Sequence, residues 1–124
     1  MDKFNKKRQE IAKIYSKSLK VTSDFTLPIP EKYTAKSHIF HQYTVRVRNG
    51  KRDLLQDELK KDIDTMVYYP MPLHKMAVFK DRAIVPSELR QSEKACEEVL
   101  SLPIEPLLWQ EEIKQICKKI TQSI

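Results

Sequence analysis

The sequence contains a single glycine, Gly50, among its 124 residues, and this scarcity excludes an important class of binding site. A glycine-rich phosphate loop needs several glycines close together, so that backbone N–H groups can approach the phosphate. We therefore expect no phosphate-binding loop in this chain.

Cysteine is also scarce. Cys96 and Cys117 lie in helical patterns and form no CxxC pair, which favours two reduced, mostly buried thiols in a cytoplasmic protein. The three histidines, His38, His41 and His74, do not stand at metal-ligand spacing. No metal site is predicted.

Long apolar runs are absent as well. The longest extend over only a few residues, so we expect no membrane-spanning segment. The N-terminal MDKFNKKRQE has no apolar stretch and is not expected to act as a secretory signal.

Charge, by contrast, is abundant, with a net charge of +6 and a pI of about 9.3. The basic residues alternate with acidic ones, as in KRDLLQDELKKD and EEIKQICKKI. That alternation is typical of solvated helix faces, so we do not expect nucleic-acid binding. Two other interpretations of the net positive charge stay open. The missing part of the protein could be more acidic, or the positive field could attract an anionic substrate.

Apolar periodicity predicts four helices and one further helical turn. The predicted helices cover residues 2–20, 52–61, 87–97 and 110–122, and the turn covers 74–79. The predicted inward residues are Phe4, Ile11, Tyr15 and Leu19 in the first helix, with Arg8 in register; Leu54, Leu55 and Leu59 in the second; and Ile113, Ile116, Cys117, Ile120 and Ile124 at the end of the chain. Pro86 is expected to open the third helix, with Ser87 as its N-cap and Glu88 in its first turn.

Three strands are predicted, over residues 38–48, 65–69 and 99–102. In the first, alternation places Ile39, His41, Tyr43, Val45 and Val47 on one face, and Asn49-Gly50 ends it with a turn. Residues 21–36 are expected to be irregular because Pro28 and Pro30 prevent a helix.

These elements predict an α+β fold with helices packed on one face of a small sheet. Residues 1–124 form a single domain in this prediction. The first helix has no capping sequence before it, which suggests the end of a longer element.

One constellation stands out in a chain with no other evident chemistry. Residues 67–74 read VYYPMPLH, and prolines on both sides of Met71 stiffen the backbone. Such a segment can present Tyr68, Tyr69 and His74 as amphipathic contacts for a sugar or phosphate. The alternative is a strand end that packs its tyrosines into the core.

At this point the sequence resembles the C-terminal region of DegT/DnrJ/StrS nucleotide-sugar aminotransferases, nearly end to end. Four pieces in order carry the resemblance: DKFNKKRQEIAKIYSKSL, HIFHQYTVRV, RDLLQDELKKDIDTMVYYPMPLHKMAVF and VLSLPIEPLLWQEEI. The chain departs from the family pattern at Asp62, where the family usually has glycine, and at Lys75-Met76. The segment between Phe79 and Pro86 lacks the family's usual glycine-containing insert.

The resemblance implies the small C-terminal domain of a fold type I, aspartate aminotransferase-like enzyme, with a mainly antiparallel sheet. Residues 1–20 would be the end of the interdomain helix, and 21–124 the small lobe. It implies a cytoplasmic homodimer that uses pyridoxal phosphate (PLP), held by an N-terminal domain. The enzyme would move an amino group from glutamate, or sometimes glutamine, to a nucleotide-linked keto sugar in polysaccharide or cell-surface sugar biosynthesis. This fragment lacks the PLP lysine and is expected to be inactive and to bind no cofactor. A free-standing, non-catalytic interaction module is the alternative.

The resemblance also assigns roles to individual residues. Tyr68, Tyr69 and His74 would contact the substrate or shape its entrance, and no catalytic residue is expected in the fragment. The candidate interface residues are His41, Arg8 and Lys75. On pattern alone we expect His41 to be a core histidine, Arg8 to pair with a carboxylate or a backbone carbonyl, and Trp109 to be a core or helix-entry anchor.

Overall fold

The computed structural model describes residues 1–28, 37–79, 82, 84, 85 and 87–124. The elements in chain order are α1 (Asp2–Leu19), β1 (Phe25–Thr26), β2 (Tyr43–Val47), α2 (Arg52–Leu59), 3₁₀ turns at Leu73–Lys75 and Ala77–Phe79, α3 (Arg90–Glu98), β3 (Val99–Leu102) and α4 (Gln110–Gln122). Pro30 and Pro86, and part of the segment between Phe79 and Pro86, lie outside the described residues. None of the described helices is both long and apolar enough to cross a lipid bilayer.

The three strands form an antiparallel sheet in the order β1-β2-β3. Its inner face carries Tyr43, Val45, Val47, Leu100 and Leu102, all buried. Helices α1, α2 and α4 supply most of the other buried apolar side chains. The rest are Phe25 of β1 and the loop residues Phe40, Ile63 and Ile104. The predicted α+β class with a small antiparallel sheet is thus confirmed.

The opposite face of the sheet is polar. Thr44 and Ser101 share a hydroxyl–hydroxyl hydrogen bond of 2.7 Å. Arg46 donates to Glu98 of α3 from Nε and Nη2, each at 2.8 Å. This charge-assisted pair ties α3 to the face that the other helices do not cover.

Tyr15 of α1 joins three elements at the centre of the core. Its ring lies 5.1 Å from that of Tyr43 on β2, and its hydroxyl donates to the Pro103 carbonyl, just after β3, at 2.8 Å. Both tyrosines are fully buried. Burial raises the pKa of each hydroxyl, because the charged form cannot be solvated there.

Several predicted helical details differ in the structure. Phe4 and Leu54 are 51% and 74% exposed, because the core begins at Ile11 on α1 and Leu55 and Leu59 suffice to pack α2. Helix α3 starts at Arg90, after a non-helical Leu89, and no side chain caps it. Ser87 is therefore not its cap.

The predicted strand over 38–48 is shorter because Phe40 has a φ of 49°. This left-handed turn, in which the Phe40 N–H donates to His38 Nδ1 at 3.1 Å, breaks the alternation. Phe40 is buried in place of Ile39, and His41 is exposed. The interpretation of His41 as a core histidine was wrong.

The predicted strand over 65–69 reduces to one bridge, Met66 with Ser101. The next hydrogen-bonded pairs of that antiparallel register would be Asp64 with Pro103 and Tyr68 with Val99. Pro103 has no N–H, and the Val99 N–H already bonds to Ala95 at the end of α3. Both extensions are therefore blocked. The two-residue β1 went unpredicted because it is too short for a periodic signal.

Other expectations hold. The Asn49-Gly50 turn has φ of 61° and 67°, and Asp62 shows no positive φ. Cys96 and Cys117 are free thiols, half-buried and buried.

Trp109 differs from the prediction of a core anchor, because its side chain is 77% exposed. It enters α4 through its backbone, whose N–H donates to Glu112 at 2.7 Å.

Replacing Tyr15 with Phe tests the central contact. The substitution keeps the ring but leaves the Pro103 carbonyl without its donor. We expect the free energy of unfolding, measured by urea titration, to fall by roughly 1–3 kcal/mol. The control Tyr69→Phe alters an exposed hydroxyl and should change it by less than about 0.5 kcal/mol; equal losses would contradict the assignment.

The same variant gives a pH signature. Because the folded-state pKa of Tyr15 is raised, the folded chain keeps a proton that the unfolded chain releases above pH ~10. That stability is fully present below pH ~10 and is lost as the pH rises towards the folded value. The wild type should therefore lose stability more steeply than Tyr15→Phe above pH ~10.

Candidate functional site

The segment Tyr68–His74 leaves the sheet directly after the Met66–Ser101 bridge. Val67 packs against the core, and Pro70 and Pro72 then hold the chain away from the sheet. Tyr68 and Tyr69 are 52% and 64% exposed. The alternative in which both tyrosines pack into the core is excluded.

Tyr69 and His74 line the same open concavity, with a volume of about 670 Å³. Its walls are mostly apolar and come from the tyrosine segment, the second 3₁₀ turn, residues 84, 85 and 89, and α3. We call it the Tyr69 concavity. It is lined by Tyr69, Met71, Pro72, Leu73, His74, Phe79, Ile84, Val85, Leu89, Ser92 and Cys96.

Tyr68 lies in a different place. It lines a smaller depression of about 220 Å³, together with His41, Gln42, Asp64 and Thr65. The Thr65 hydroxyl is buried and has no hydrogen-bond partner among the described residues. The structure thus brings together Tyr69 with His74, and Tyr68 with His41, rather than all four.

His74 is held by a residue that sequence reasoning missed. Its Nε2 lies 3.0 Å from Oε1 of Glu93, in the first turn of α3. Lys75 reaches the same oxygen at 3.1 Å. Hydrogen bonds from His74 and Lys75 hold the pKa of Glu93 below its usual range. In the sequence Glu93 is one charge among many on a polar helix, so no local pattern distinguishes it.

The other two candidate interface residues differ from each other. Lys75 is about half exposed and paired with Glu93. Arg8 is half-buried, and within the parts of the chain that the structure describes its side chain has no carboxylate or carbonyl partner. The expected pairing of Arg8 is therefore not found there.

A larger hollow, of about 740 Å³, lies between the start of α4 and the loop after α2. It includes four carboxylates, from Asp62, Asp64, Glu105 and Glu112, and one lysine, Lys119. Its charge repels anions. The Tyr69 concavity is therefore the better candidate for an anionic ligand with apolar and hydroxyl surfaces.

Neither a metal nor PLP finds its usual ligands in the described residues. No group of three or more His, Cys, Asp or Glu side chains is placed to hold a metal in those ranges. Gly50 lies in the turn after β2 and lines none of the hollows described above. Lys75, the lysine beside His74, is engaged with a carboxylate. These residues do not fit a PLP site, which needs a nucleophilic lysine and a phosphate cup.

Comparison with known sequences gives a match over almost the whole chain. The profile of the DegT/DnrJ/EryC1/StrS aminotransferase family matches residues 1–121. A "Pleiotropic regulatory protein" of Geobacillus stearothermophilus is 37% identical over 98% of this chain and 32% of its own length. The dTDP-3-amino-3,6-dideoxy-alpha-D-galactopyranose transaminase of Aneurinibacillus thermoaerophilus is 31% identical over 98% of this chain and 32% of its own length.

Comparison with solved structures also gives a match over almost the whole chain. DesV of S. venezuelae, crystallised in complex with a ketimine intermediate, superposes with a TM-score of 0.85 at 28% identity, covering 98% of this chain and 32% of that one. The chain thus spans about a third of the length of the proteins that it matches.

The two cysteines provide a probe of the Tyr69 concavity. Cys96 lines it and is half-buried, whereas Cys117 is buried and its burial raises the pKa of the thiol. We expect a maleimide to label Cys96 at least about tenfold faster than Cys117, as measured by peptide mass mapping. In Cys96→Ser only the slow phase should remain; a fast phase at Cys117 would contradict this geometry.

Proposed function

The chain belongs to the DegT/DnrJ/EryC1/StrS aminotransferase family, and on that premise we propose that it is the C-terminal domain of a PLP-dependent enzyme that transfers an amino group from glutamate to a nucleotide-linked keto sugar. The single observation that carries the proposal is the family match over residues 1–121. A relative that is named as a dTDP-sugar transaminase supports the substrate class.

Length supports the assignment to one part of a larger enzyme. The chain corresponds to about a third of each relative, and its described residues do not fit PLP. In this proposal the cofactor is bound by an N-terminal domain and supplies the electron sink for amino transfer. The intact enzyme is a cytoplasmic homodimer in polysaccharide or cell-surface sugar biosynthesis, as the family resemblance implies.

Residues 1–20 form the end of the interdomain helix in this proposal, and 21–124 form the small lobe. The first nine residues of α1 include no buried side chain, whereas Ile11, Ala12, Tyr15 and Leu19 are buried. The second half of the helix therefore packs on the lobe, and the exposed side chains of its first half would contact another domain.

The Tyr69 concavity would form one wall of the active site, beside the cofactor bound by the N-terminal domain. Its apolar walls exclude water from the sugar, Tyr69 offers an aromatic face and a hydroxyl, and His74 offers a ring nitrogen. Tyr68 and His41 border the neighbouring depression and would shape the entrance through which the substrate reaches the active site. In this proposal these groups bind and orient the substrate, and none of them carries out the proton transfers of the amino-transfer reaction.

The exposed apolar surface supports a covering domain. The large apolar side chains of this surface are 38% to 93% exposed, and a patch of exposed apolar side chains commonly marks an interaction site. They are Tyr69, Met71, Leu73, Val78, Phe79, Ile84, Val85 and Leu89. The PLP-binding domain, of the same chain or of the second subunit, would cover them.

The same concavity favours a second candidate, a free-standing interaction module without catalysis. An open apolar hollow can accept a partner's side chains as readily as a substrate. The coding sequence upstream separates the two candidates: an enzyme requires roughly 200 further residues for a second domain, with a lysine for PLP.

Cofactor uptake tests the proposal. The intact protein should bind PLP and turn yellow, and should aminate a nucleotide-linked keto sugar with glutamate as donor. The 124-residue chain alone should bind no PLP and show no transaminase activity, measured by absorbance titration and product mass. Stoichiometric PLP uptake by this chain would contradict the proposal that the N-terminal domain alone binds the cofactor.

Substitutions in the intact enzyme test the site. Tyr69→Phe and His74→Gln should each raise KM for the nucleotide sugar by roughly tenfold, because each removes one hydrogen-bonding group. KM for the amino donor should be unaffected. Trp109→Phe, at an exposed aromatic outside the concavities described above, is the matched control. A loss shared by the control, or confined to the donor, would exclude the proposed contacts.

A further inference from the structure

The imidazole of His74 stands between two concavities. It lines the Tyr69 concavity on one side, and on the other a polar hollow that includes Glu93, Glu88 and Arg90. Only 14% of its side chain is exposed. The ring is therefore held in place, and its two nitrogens have different surroundings.

The contact with Glu93 determines which nitrogen carries the proton. Nε2 lies 3.0 Å from Glu93 Oε1, and an ionised carboxylate only accepts hydrogen bonds. The lowered pKa of Glu93 is consistent with an ionised group. Lys75 donates to the same oxygen at 3.1 Å. Nε2 must therefore be the protonated nitrogen of a neutral His74 ring.

The other nitrogen is then an acceptor. A neutral imidazole has one N–H and one lone pair, so Nδ1 presents the lone pair. Within the described residues Nδ1 has no hydrogen-bond partner. It is not one of the fully buried unpartnered atoms in those residues, which are the hydroxyls of Thr22 and Thr65. Nδ1 is thus not fully buried, and its ring lines both concavities.

We propose that Glu93 is a positioning residue that holds His74 as a hydrogen-bond acceptor through Nδ1, so that the ligand group recognised beside Tyr69 is a donor, such as a sugar hydroxyl or an amine. The identity of the ligand rests on the proposed function. The tautomer of His74 and its control by Glu93 do not.

Histidine ring NMR of the 124-residue chain tests the inference. At a pH well above the ordinary imidazole pKa of about 6.5, His74 should show a protonated Nε2 and an unprotonated Nδ1. Its Nε2 proton should exchange slowly with water, because it is bonded to a carboxylate. Single His→Gln variants assign the three rings, and His38, whose Nδ1 accepts from Phe40, provides an internal reference for the same tautomer.

Variants at position 93 should remove this signature. In Glu93→Gln the exchange of the Nε2 proton should accelerate by roughly tenfold or more, and the proton should distribute between both nitrogens, because an amide can donate as well as accept. Glu93→Ala, favourable on a helix surface, gives the same test if the amide disturbs folding. The matched control Glu97→Gln removes one charge from the same helix and should leave the His74 spectrum unchanged.

Two results would overturn the inference: a wild-type His74 that is protonated at Nδ1, or a protected Nε2 proton that persists in folded Glu93→Gln. Neither measurement needs cofactor or substrate. Failure here is therefore distinguishable from failure of the proposed function, which is decided by PLP binding and amino transfer in the intact enzyme.

Discussion

The fold depends on the docking of one buried tyrosine. Tyr15 brings α1 against β2 through the ring of Tyr43 and binds the chain after β3 through the Pro103 carbonyl. A hydroxyl in an apolar core needs a partner, so this bond specifies where α1 lies as well as stabilising it. With α1 placed, α4 packs beside it and closes the core over the sheet.

The edge of that sheet determines where the candidate site begins. Ser101 of β3 forms a single bridge with Met66, and the neighbouring positions are blocked by Pro103 and by the end of α3. The chain must therefore leave the sheet at Val67, and Pro70 and Pro72 keep it from returning. Tyr69 is exposed for this reason, and α3 is near enough for Glu93 to hold the mostly buried side chain of His74.

Membership of the aminotransferase family suggests a role for the Tyr69 concavity. The described residues offer a hollow with apolar walls, a phenol and an oriented imidazole, and they do not fit PLP. Those properties support the proposed role of a domain that shapes a substrate pocket beside a cofactor bound elsewhere. The separation of Tyr68 from Tyr69 further divides the candidate residues between a main concavity and its neighbouring depression.

By itself, the sequence determined the long periodic helices α1 and α4, the central strand residues and the family, because these signals are local or extend over the whole chain. Tertiary structure decided the rest. His41 is exposed because the left-handed Phe40 interrupts the alternation of the strand. The predicted strand at 65–69 is one bridge because Pro103 has no N–H and the Val99 N–H already bonds to Ala95. Glu93 contacts His74 because two distant segments meet. No local pattern records which of many charged helix residues will face a histidine nineteen positions earlier in the chain, so only the packed structure could identify that pair.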